Sequence, residues 1–502
     1  MTEYIFMFLI NISHAVFVIS TSMLDIYGLN MLILTGLFFC RFSAKPIRRS
    51  PEKWPHVTVQ LPVFNEMHVV ERLLTSVSKL DYPREKLQIQ LLDDSTDETT
   101  EIARMEIEKL QGRGFDAELI HRDDRTGFKA GALENGLDTA KGEYVFILDA
   151  DFVPNSDVLR KTIHYFTDDE IGLIQTRWGH LNRNYNLLTR VQAMFLDGHL
   201  ELEQTARNRS GRFFTFNGTG GIWRKKCITD AGGWEHDTLT EDMDLSYRAQ
   251  LRNWRFIFLN EVETPAELPV DMDGFKSQQH RWTKGSIQCC KKVLPAIWRS
   301  KFPLHVKLEA TAHLTSNFAW LLLMVLCFLI FPNTKYQPEM SVWVKALIHI
   351  PIFIFASGSV IFFYLMSQKA LNPKGWWKEI IYLPCLLALG IGMSINNARA
   401  VMEALFNMQS GFVRTPKYGI EKRKAEKSPA ARKSRYKAIR SVTPVVEFLF
   451  GVFFLFVLLD ALLSGNLVSF VFLLPFPIGF FYTSVSSFVI SWNAASRDRQ
   501  TE

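Results

Sequence analysis

The chain has 502 residues, enough for two or three domains, with 57 lysines and arginines against 51 aspartates and glutamates. The net charge of +6 is less informative than the placement of the charges, and a mean hydropathy of +0.03 averages very apolar stretches with ordinary globular sequence. The six cysteines form no CxxC pair, which argues against a disulfide framework or a cysteine-bound metal and indicates reduced thiols.

Apolar stretches at both ends of the chain predict membrane segments. Five are largely free of charge: residues 4–40, 311–332, 343–366, 445–463 and 466–491. Each is near or above the roughly 20 residues that a bilayer core requires. The first fits either two short spanning helices or one long helix. We therefore expect an integral, multi-pass membrane protein, with membrane segments in 1–49 and 306–502 and a soluble domain at 50–305.

Basic residues beside these stretches predict the orientation. They cluster at 41–49, 369–378 and 417–440, and the positive-inside tendency puts all three in the cytoplasm. The stretch 379–403 between two of them then makes no single crossing, so we predict a helix that lies in the membrane interface or is covered by protein. A basic loop beside anionic lipid requires no nucleic-acid ligand, and none is expected. The soluble domain should face the cytoplasm at the plasma or inner membrane, or at the Golgi in a eukaryote.

The soluble stretch alternates strand and helix patterns. In chain order it predicts a strand at 57–61, a helix at 67–80, a strand at 87–92, a helix at 98–110, a strand at 118–121, a helix at 129–137 and a strand at 144–148. Strands rich in Val, Ile and Leu between helices predict a parallel sheet covered on both faces. Ligands bind beyond the carboxyl ends of such strands. A further strand is predicted at 213–216, running into a glycine turn.

Two carboxylate motifs fall at such strand ends. Asp149 and Asp151 follow the strand 144–148, and their spacing lets both side chains converge on one Mg²⁺ or Mn²⁺ ion together with substrate phosphate oxygens. A metal there would stabilise a nucleotide diphosphate as leaving group. Asp94 ends the strand 87–92 and could accept hydrogen bonds from a base or a ribose. The alternative for Asp94 is a place in a helix N-cap cluster.

Two further residues open predicted helices. Lys129 stands among small residues and can reach a phosphate as a point charge. Asp242 follows Thr240 and Glu241 at the start of a helix predicted at 241–251. The helix N-terminus favours the ionised carboxylate, and such a group within reach of an acceptor hydroxyl is a general base. An ordinary cap at Thr240 is the alternative.

A third group lies just before the membrane part. Gln278, Arg281 and Trp282 are spaced i, i+3 and i+4 and share one helical face. Arg281 can hold a pyrophosphate and Trp282 offers a flat surface to a pyranose, although an Arg-Trp pair can also be an interfacial anchor. In the glycine turn, Asn217 and Gly218 permit close backbone approach and suit an acceptor pocket, unless this is only a tight turn.

In combination these motifs resemble those of family 2 glycosyltransferases of the cellulose synthase superfamily. Over roughly residues 55–300 the strings LDDSTD, GFKAGAL, DADF, FNGTGGIWR, TEDMDLSYRA and QQHRW look most like cellulose synthase-like mannan and glucan synthases. The string FVRTPK at 412–417, which includes Thr415, resembles the gating loop that closes over the nucleotide in these enzymes. FNGTGG differs from the cysteine-containing acceptor motif of cellulose synthases proper, which argues against cellulose as product.

The resemblance implies an α/β GT-A domain inserted in a helical membrane bundle, with a gating-type loop at 408–440. It implies inverting transfer from UDP-glucose or GDP-mannose to a growing β-glycan, with Asp242 as base. With the assignments above, the nucleotide sugar would contact Asp94, Lys129, Asp149, Gln278, Arg281 and Thr415, the acceptor would contact Trp282, Asn217 and Gly218, and the metal would bind Asp149 and Asp151.

Two alternatives stay open. A glycolipid synthase that moves one sugar to diacylglycerol or ceramide would share the same site, although the gating-loop string and the long C-terminal membrane part favour a polymer. A non-catalytic sugar-binding membrane protein is disfavoured because the set of carboxylates is intact. The residues do not report the donor, the linkage or any export partner subunit.

Overall fold

The structure is a computed structural model that describes residues 2–41, 45–51, 53–336, 341–408, 415, 417–420 and 442–501. Most of the predicted gating-type loop 408–440 therefore lies outside the described residues, which include only 408, 415 and 417–420 of it. In the described residues, an α/β domain built on one sheet stands between long apolar helices from both ends of the chain.

The sheet is mixed. Its strands within the described residues are β1 (Val57–Val63), β2 (Leu87–Asp93), β3 (Asp116–His121), β4 (Tyr144–Ile147), β5 (Ile171–His180), β6 (Gly221–Arg224) and β7 (Arg255–Ala266), in the spatial order β3-β2-β1-β4-β6-β5-β7. Strands β1 to β4 are parallel, as predicted, but β6 is antiparallel to β4 and to β5. The antiparallel β6 was not predicted from the sequence; the chain reverses through Gly218 and Gly220, both with positive φ, directly into β6.

The helices of the domain agree with the sequence pattern. They are α2 (Val70–Val77), α3 (Thr99–Gly112), α4 (Phe128–Leu137), α5 (Val158–Ile163), α6 (Leu187–Asp197), α7 (Thr205–Arg209), α8 (Lys225–Asp230), α9 (Glu241–Leu251) and α10 (Met272–Arg299). Each strand and helix predicted between residues 57 and 148 is present with ends displaced by a few residues, and the helix predicted at 241–251 has those bounds. Buried apolar clusters on both faces of the sheet confirm that helices cover both faces.

The strand predicted at 213–216 is wrong. Phe214 and Phe216 are buried, but their backbone is paired with side chains of α9 and not with a strand. Gln250 accepts from the Phe214 N–H at 3.2 Å and donates to its carbonyl at 2.9 Å, and Ser246 accepts from the Phe216 N–H at 2.8 Å. The phenylalanines therefore indicate that the segment is buried. Polar side chains of α9 form the hydrogen bonds that its backbone N–H and carbonyl groups need.

The remaining α-helices are largely apolar and range from 7 to 40 residues in length. They are α1 (Thr2–Arg41), α11 (Leu304–Thr315), α12 (Ala319–Lys335), α13 (Val342–Ile352), α14 (Ser359–Leu371), α15 (Leu383–Leu405), α16 (Thr443–Leu463), α17 (Leu467–Leu473) and α18 (Pro475–Thr501). Among the described residues, six helical segments are long and apolar enough to cross a membrane. The N-terminal stretch is one helix, α1, and not two. At about 1.5 Å per residue, its 40 residues exceed a hydrocarbon core about 30 Å thick.

The segment Trp376–Leu405, which ends in α15, differs from the other five. Half of its most apolar stretch is buried within the protein, the largest share of the six. Near its start, Glu379 accepts from Arg190 of α6, with Nε and Oε2 at 3.0 Å. Near its end, Glu403 lies 3.2 Å from Lys284 of α10. Both ends of this segment are therefore bound to the α/β domain.

Helices α9 and α10 approach so closely that the contact requires a glycine. A Cβ on Gly285 would lie 2.5 Å from Cγ2 and 2.9 Å from the backbone N of Thr240, the residue that precedes α9. The start of α9 therefore rests directly on the backbone of α10.

We predict that Gly285→Ala lowers the free energy of unfolding by about 1–3 kcal/mol, because overpacking must separate the two helices. Thermal unfolding of the detergent-solubilised protein measures the effect. The matched control is Gly112→Ala in α3, where a Cβ meets nothing within 4 Å, so this variant should be neutral or slightly stabilising. Equal melting temperatures for the two variants would contradict the proposed contact.

Candidate active site

The eleven residues predicted from the sequence line one open cleft. They are Asp94, Lys129, Asp149, Asp151, Asn217, Gly218, Asp242, Gln278, Arg281, Trp282 and Thr415. They come from the ends of β2 and β4, the starts of α4 and α9, the glycine turn, the face of α10 and the segment after α15. The structure thus brings the whole set together, and the role of each residue stays a prediction.

The two aspartates at the end of β2 have different surroundings. Asp93 is fully buried and accepts hydrogen bonds from the Ser95 N–H, the Thr100 hydroxyl and the His121 ring. Asp94 lines the cleft, and Arg122 donates to both of its oxygens, at 2.8 and 2.6 Å. Asp93 therefore shapes the turn, and a bidentate arginine fixes the orientation of the Asp94 carboxylate.

Each aspartate of the Asp-Ala-Asp motif has a lysine counterion. Lys129 Nζ lies 2.5 Å from Asp149 Oδ1 and also donates to the Gly218 carbonyl at 2.8 Å. Lys417, from the segment after α15, donates to Asp151 Oδ2 at 2.6 Å. Burial would lower the pKa of Lys129, but Asp149 and other nearby carboxylates raise it above its usual value. Lys129 is therefore a charged link between the motif and the glycine turn.

Asp242 differs from the sequence expectation. The helix N-terminus is expected to favour its ionised form, but the pKa of Asp242 is raised to about 7. Burial is the main cause and the charge of Glu241 the next, and together they outweigh Lys129, the Met243 N–H and Arg281, which lower the pKa. A carboxyl group with a pKa near neutrality is suited to take a proton from a hydroxyl.

The glycine turn passes directly beside this carboxylate. A Cβ on Gly218 would lie 3.0 Å from Asp242 Oδ2, and the residue has φ of +81°, so a side chain here is both crowded and strained. The neighbouring Asn217 is held from two sides. Its N–H donates to Gln175 Oε1 at 3.2 Å, and its Oδ1 accepts from Gln204 at 2.7 Å. The glycine backbone, without a side chain, therefore faces the Asp242 carboxylate at this turn.

Helix α10 presents different residues to the cleft and to the membrane part. Gln278, Arg281 and Trp282 line the cleft, so Trp282 is no lipid-facing anchor. Its ring lies 6.5 Å from that of Trp178 on β5. His280, inside the same motif, points away and lies 3.2 Å from Glu403 of α15. The helical spacing therefore separates ligand-facing residues from those that hold α15.

Several residues of the cleft were not predicted from the sequence. Trp178 and His180 line it from the end of β5, and their i, i+2 spacing at a strand end would have placed both on one face. Arg122 and Lys417, the counterions of Asp94 and Asp151, had no local signal because each lies far along the chain from its partner.

One group of carboxylates outside the motif has the spacing of metal ligands among the described residues. It consists of Glu235, Asp237 and Asp244. Lys292 Nζ lies 2.5, 2.7 and 3.0 Å from these three side chains in turn. A lysine thus balances this cluster, and it shares no residue with Asp149 and Asp151.

Comparison with known proteins agrees with this architecture. Residues 58–227 match the model of glycosyl transferase family 2, and residues 144–335 match that of glycosyl transferase family group 2. A glucomannan 4-beta-mannosyltransferase 1 from Cyamopsis tetragonoloba is 32% identical over 451 residues, which cover 86% of this chain and 81% of that protein. The chain belongs to glycosyltransferase family 2. This glycosyltransferase is of the cellulose synthase-like type.

Two further matches differ in extent. A glucomannan 4-beta-mannosyltransferase 1 from Oryza sativa subsp. japonica is 36% identical over 339 residues, and the match spans 64% of this chain and 64% of the rice protein. The solved mannosyltransferase PcManGT from Pyrobaculum calidifontis, in complex with GDP-Man and Mn²⁺, superposes with a TM-score of 0.54 at 20% identity. It covers 78% of this chain and 100% of that one. This likeness confirms the GT-A fold.

We predict that the activity of this glycosyltransferase falls on the acid side with an apparent pKa of about 7. If Asp242 is the base, it must be ionised, so activity is retained above its pKa and lost as the pH falls through it. Glu241→Gln removes a neighbouring negative charge and should shift the acid limb of the kcat/KM profile to lower pH.

Asp242→Asn should lower kcat by about 10²–10⁴-fold on the plateau above the pKa of Asp242, because an amide accepts no proton from the acceptor, and its residual activity should show no acid limb. Sugar transfer measured between pH 5 and 9 tests both variants. An unchanged acid limb in Glu241→Gln, or normal turnover in folded Asp242→Asn, would remove Asp242 from the role of base.

Proposed function

We propose that this glycosyltransferase transfers mannose from GDP-mannose to a growing β-linked glycan at the membrane, with inversion at the anomeric carbon. The observation that carries the proposal is the convergence of Asp149, Asp151, Asp242 and Arg281 with Trp282 in one cleft. Of the two donors that the sequence leaves open, GDP-mannose is favoured by the names of the relatives.

The geometry supports the following roles. The acceptor hydroxyl oxygen attacks the anomeric carbon, the bond from that carbon to the diphosphate breaks, and Asp242 takes the hydroxyl proton. Arg281 and Gln278 hold the diphosphate, and Arg281 opposes the charge that develops on it. Trp282 supports the acceptor ring. Asp94, fixed by Arg122, binds the nucleoside, and Thr415, which also lines the cleft, contacts the nucleotide sugar.

Asp149 and Asp151 fit a divalent cation. Both are carboxylates at the end of β4, both line the cleft, and carboxylate oxygen is the donor type that Mg²⁺ and Mn²⁺ prefer. The two aspartates would hold the ion, with Lys129 and Lys417 remaining as neighbouring counterions. When bound, the ion would balance the charge of the diphosphate leaving group.

The test offers labelled GDP-mannose and UDP-glucose separately to the purified protein in nanodiscs with Mg²⁺, and sizes the labelled product. We expect high-mass material from GDP-mannose that a β-mannanase degrades. Label confined to a solvent-extractable lipid would establish a glycolipid synthase, and label taken only from UDP-glucose would overturn the donor.

The same assay tests the metal. Excess chelator and Asp151→Ala should each abolish transfer, whereas the exposed Asp138→Ala should behave as the wild type. Full turnover in chelator would contradict a metal at Asp149 and Asp151.

We also propose that Trp376–Leu405 lies in the membrane interface and does not cross. Its two ends contact the α/β domain through Glu379 and Glu403, which supports the cytoplasmic placement of the domain together with both basic segments.

Introduced cysteines test this topology in a Cys40→Ser/Cys385→Ser background, because the other four cysteines are buried. With Lys374→Cys and Met408→Cys, which flank the segment, an impermeant maleimide should label both sites from the same side of sealed vesicles. Ser464→Cys, between α16 and α17, should be labelled from the other side. Labelling of positions 374 and 408 from opposite sides would establish a crossing.

A further inference from the structure

The wall of the cleft holds a histidine that the proposed reaction does not use. His180 is the last residue of β5, two positions after Trp178, so the two side chains project from the same face of the strand. Both line the cleft. Because Trp178 is also the neighbour of Trp282, His180 stands beside the aromatic surface to which we assign the acceptor.

A buried network fixes the position of this imidazole. His180 Nε2 lies 3.2 Å from Asp197 Oδ1 at the end of α6, and the two side chains are only 4% and 2% exposed. Asp197 Oδ2 accepts from Arg183 at 2.5 Å and from Gln368 of α14 at 3.0 Å. Arg183 also donates to Gln368 Oε1 at 2.9 Å. The ring is therefore oriented from β5, α6 and a membrane helix together.

The same network selects the tautomer. Burial would raise the pKa of Asp197, but the hydrogen bonds and charges of His180, Arg183 and Gln368 lower it to about 2. An ionised carboxylate only accepts hydrogen bonds, so Nε2 of His180 carries the hydrogen. In an imidazole that carries its hydrogen on Nε2, Nδ1 is a lone-pair acceptor.

Nδ1 is the atom that the network leaves for a ligand. Within the part of the chain that the structure describes, His180 makes its hydrogen bond through Nε2, and Nδ1 has no partner. A histidine that only filled the core would not line the cleft on the same strand face as Trp178. A flat apolar surface next to an oriented hydrogen-bond acceptor is the chemistry that recognises a sugar, whose ring faces are apolar and whose rim carries hydroxyls.

We propose that His180 Nδ1 accepts a hydrogen bond from a hydroxyl of the acceptor sugar that packs against Trp178 and Trp282. The inference rests on the proposed function and deepens it. It gives His180 a part in binding the acceptor, and Asp197 acts only by positioning His180.

Two substitutions separate binding from structure. In His180→Gln, the side-chain amide can reach the place of Nε2 and donate to Asp197, but it puts no acceptor in the place of Nδ1. In His180→Phe both polar atoms are lost. The matched control is His305→Asn, at an exposed histidine of α11.

Initial rates are measured with GDP-mannose as donor and β-1,4-mannohexaose as acceptor. We expect His180→Gln to raise the KM for mannohexaose by about 3- to 10-fold, the usual effect of one lost neutral hydrogen bond. Its KM for GDP-mannose, its donor hydrolysis without acceptor and its melting temperature should match those of the wild type and of His305→Asn.

His180→Gln with a wild-type KM for mannohexaose would overturn the inference, and a simultaneous loss of stability and donor binding in His180→Phe would then show a structural role. The wild type decides the proposed function separately. If it transfers no sugar to mannohexaose or to cellohexaose, the glycan-synthase proposal fails before the variants are compared, and the assignment of His180 fails with it.

Discussion

The balance of charge in the cleft determines which carboxylate can act as a base. Strand ends and the start of α9 bring several acids into one poorly solvated space, where an unpaired charge is costly. Three of them have a cation of their own: Asp94 with Arg122, Asp149 with Lys129 and Asp151 with Lys417. Lys129 and Arg281 also act on Asp242, but burial and the charge of Glu241 outweigh them and raise its pKa to about 7. The three acids in close ion pairs are suited to bind, and Asp242 is suited to exchange a proton.

Helix α10 connects the membrane helices to this cleft. Near its start, Lys276 donates to Glu447 of α16 at 2.6 Å, and further along Gly285 contacts the backbone before α9. Between these two fixed points lie the cleft-facing Arg281 and Trp282. A shift of α10 would therefore move Arg281, Trp282 and Asp242 together, which are the proposed diphosphate-binding residue, acceptor surface and base. The position of this one helix thus sets the geometry of the site.

The local sequence pattern was sufficient to predict a site residue where that residue and its strand or helix are adjacent in the sequence. The apolar strand before Asp149 and the acidic start of α9 could be placed from a few residues. Pattern failed where the partner lay far along the chain: Arg122 is 28 residues from Asp94, and Lys417 is 266 residues from Asp151. The pattern also failed at 213–216, because the phenylalanines there indicate that the segment is buried but do not indicate which groups pair with its backbone. The antiparallel direction of β6 was missed for a related reason, since a short apolar strand carries no mark of its direction.

The segment after α15 is held by the same charges that balance the cleft. Lys284 donates to the Met408 carbonyl at 2.6 Å, Lys417 to Asp151 at 2.6 Å, and the Tyr418 N–H to Glu267 at 3.0 Å. A nucleotide diphosphate bound in the cleft as proposed would bring negative charge that Lys417 would share with Asp151. The proposed donor binding and the contact of Lys417 with Asp151 would then draw on the same cation, and by linkage each would change the free energy of the other.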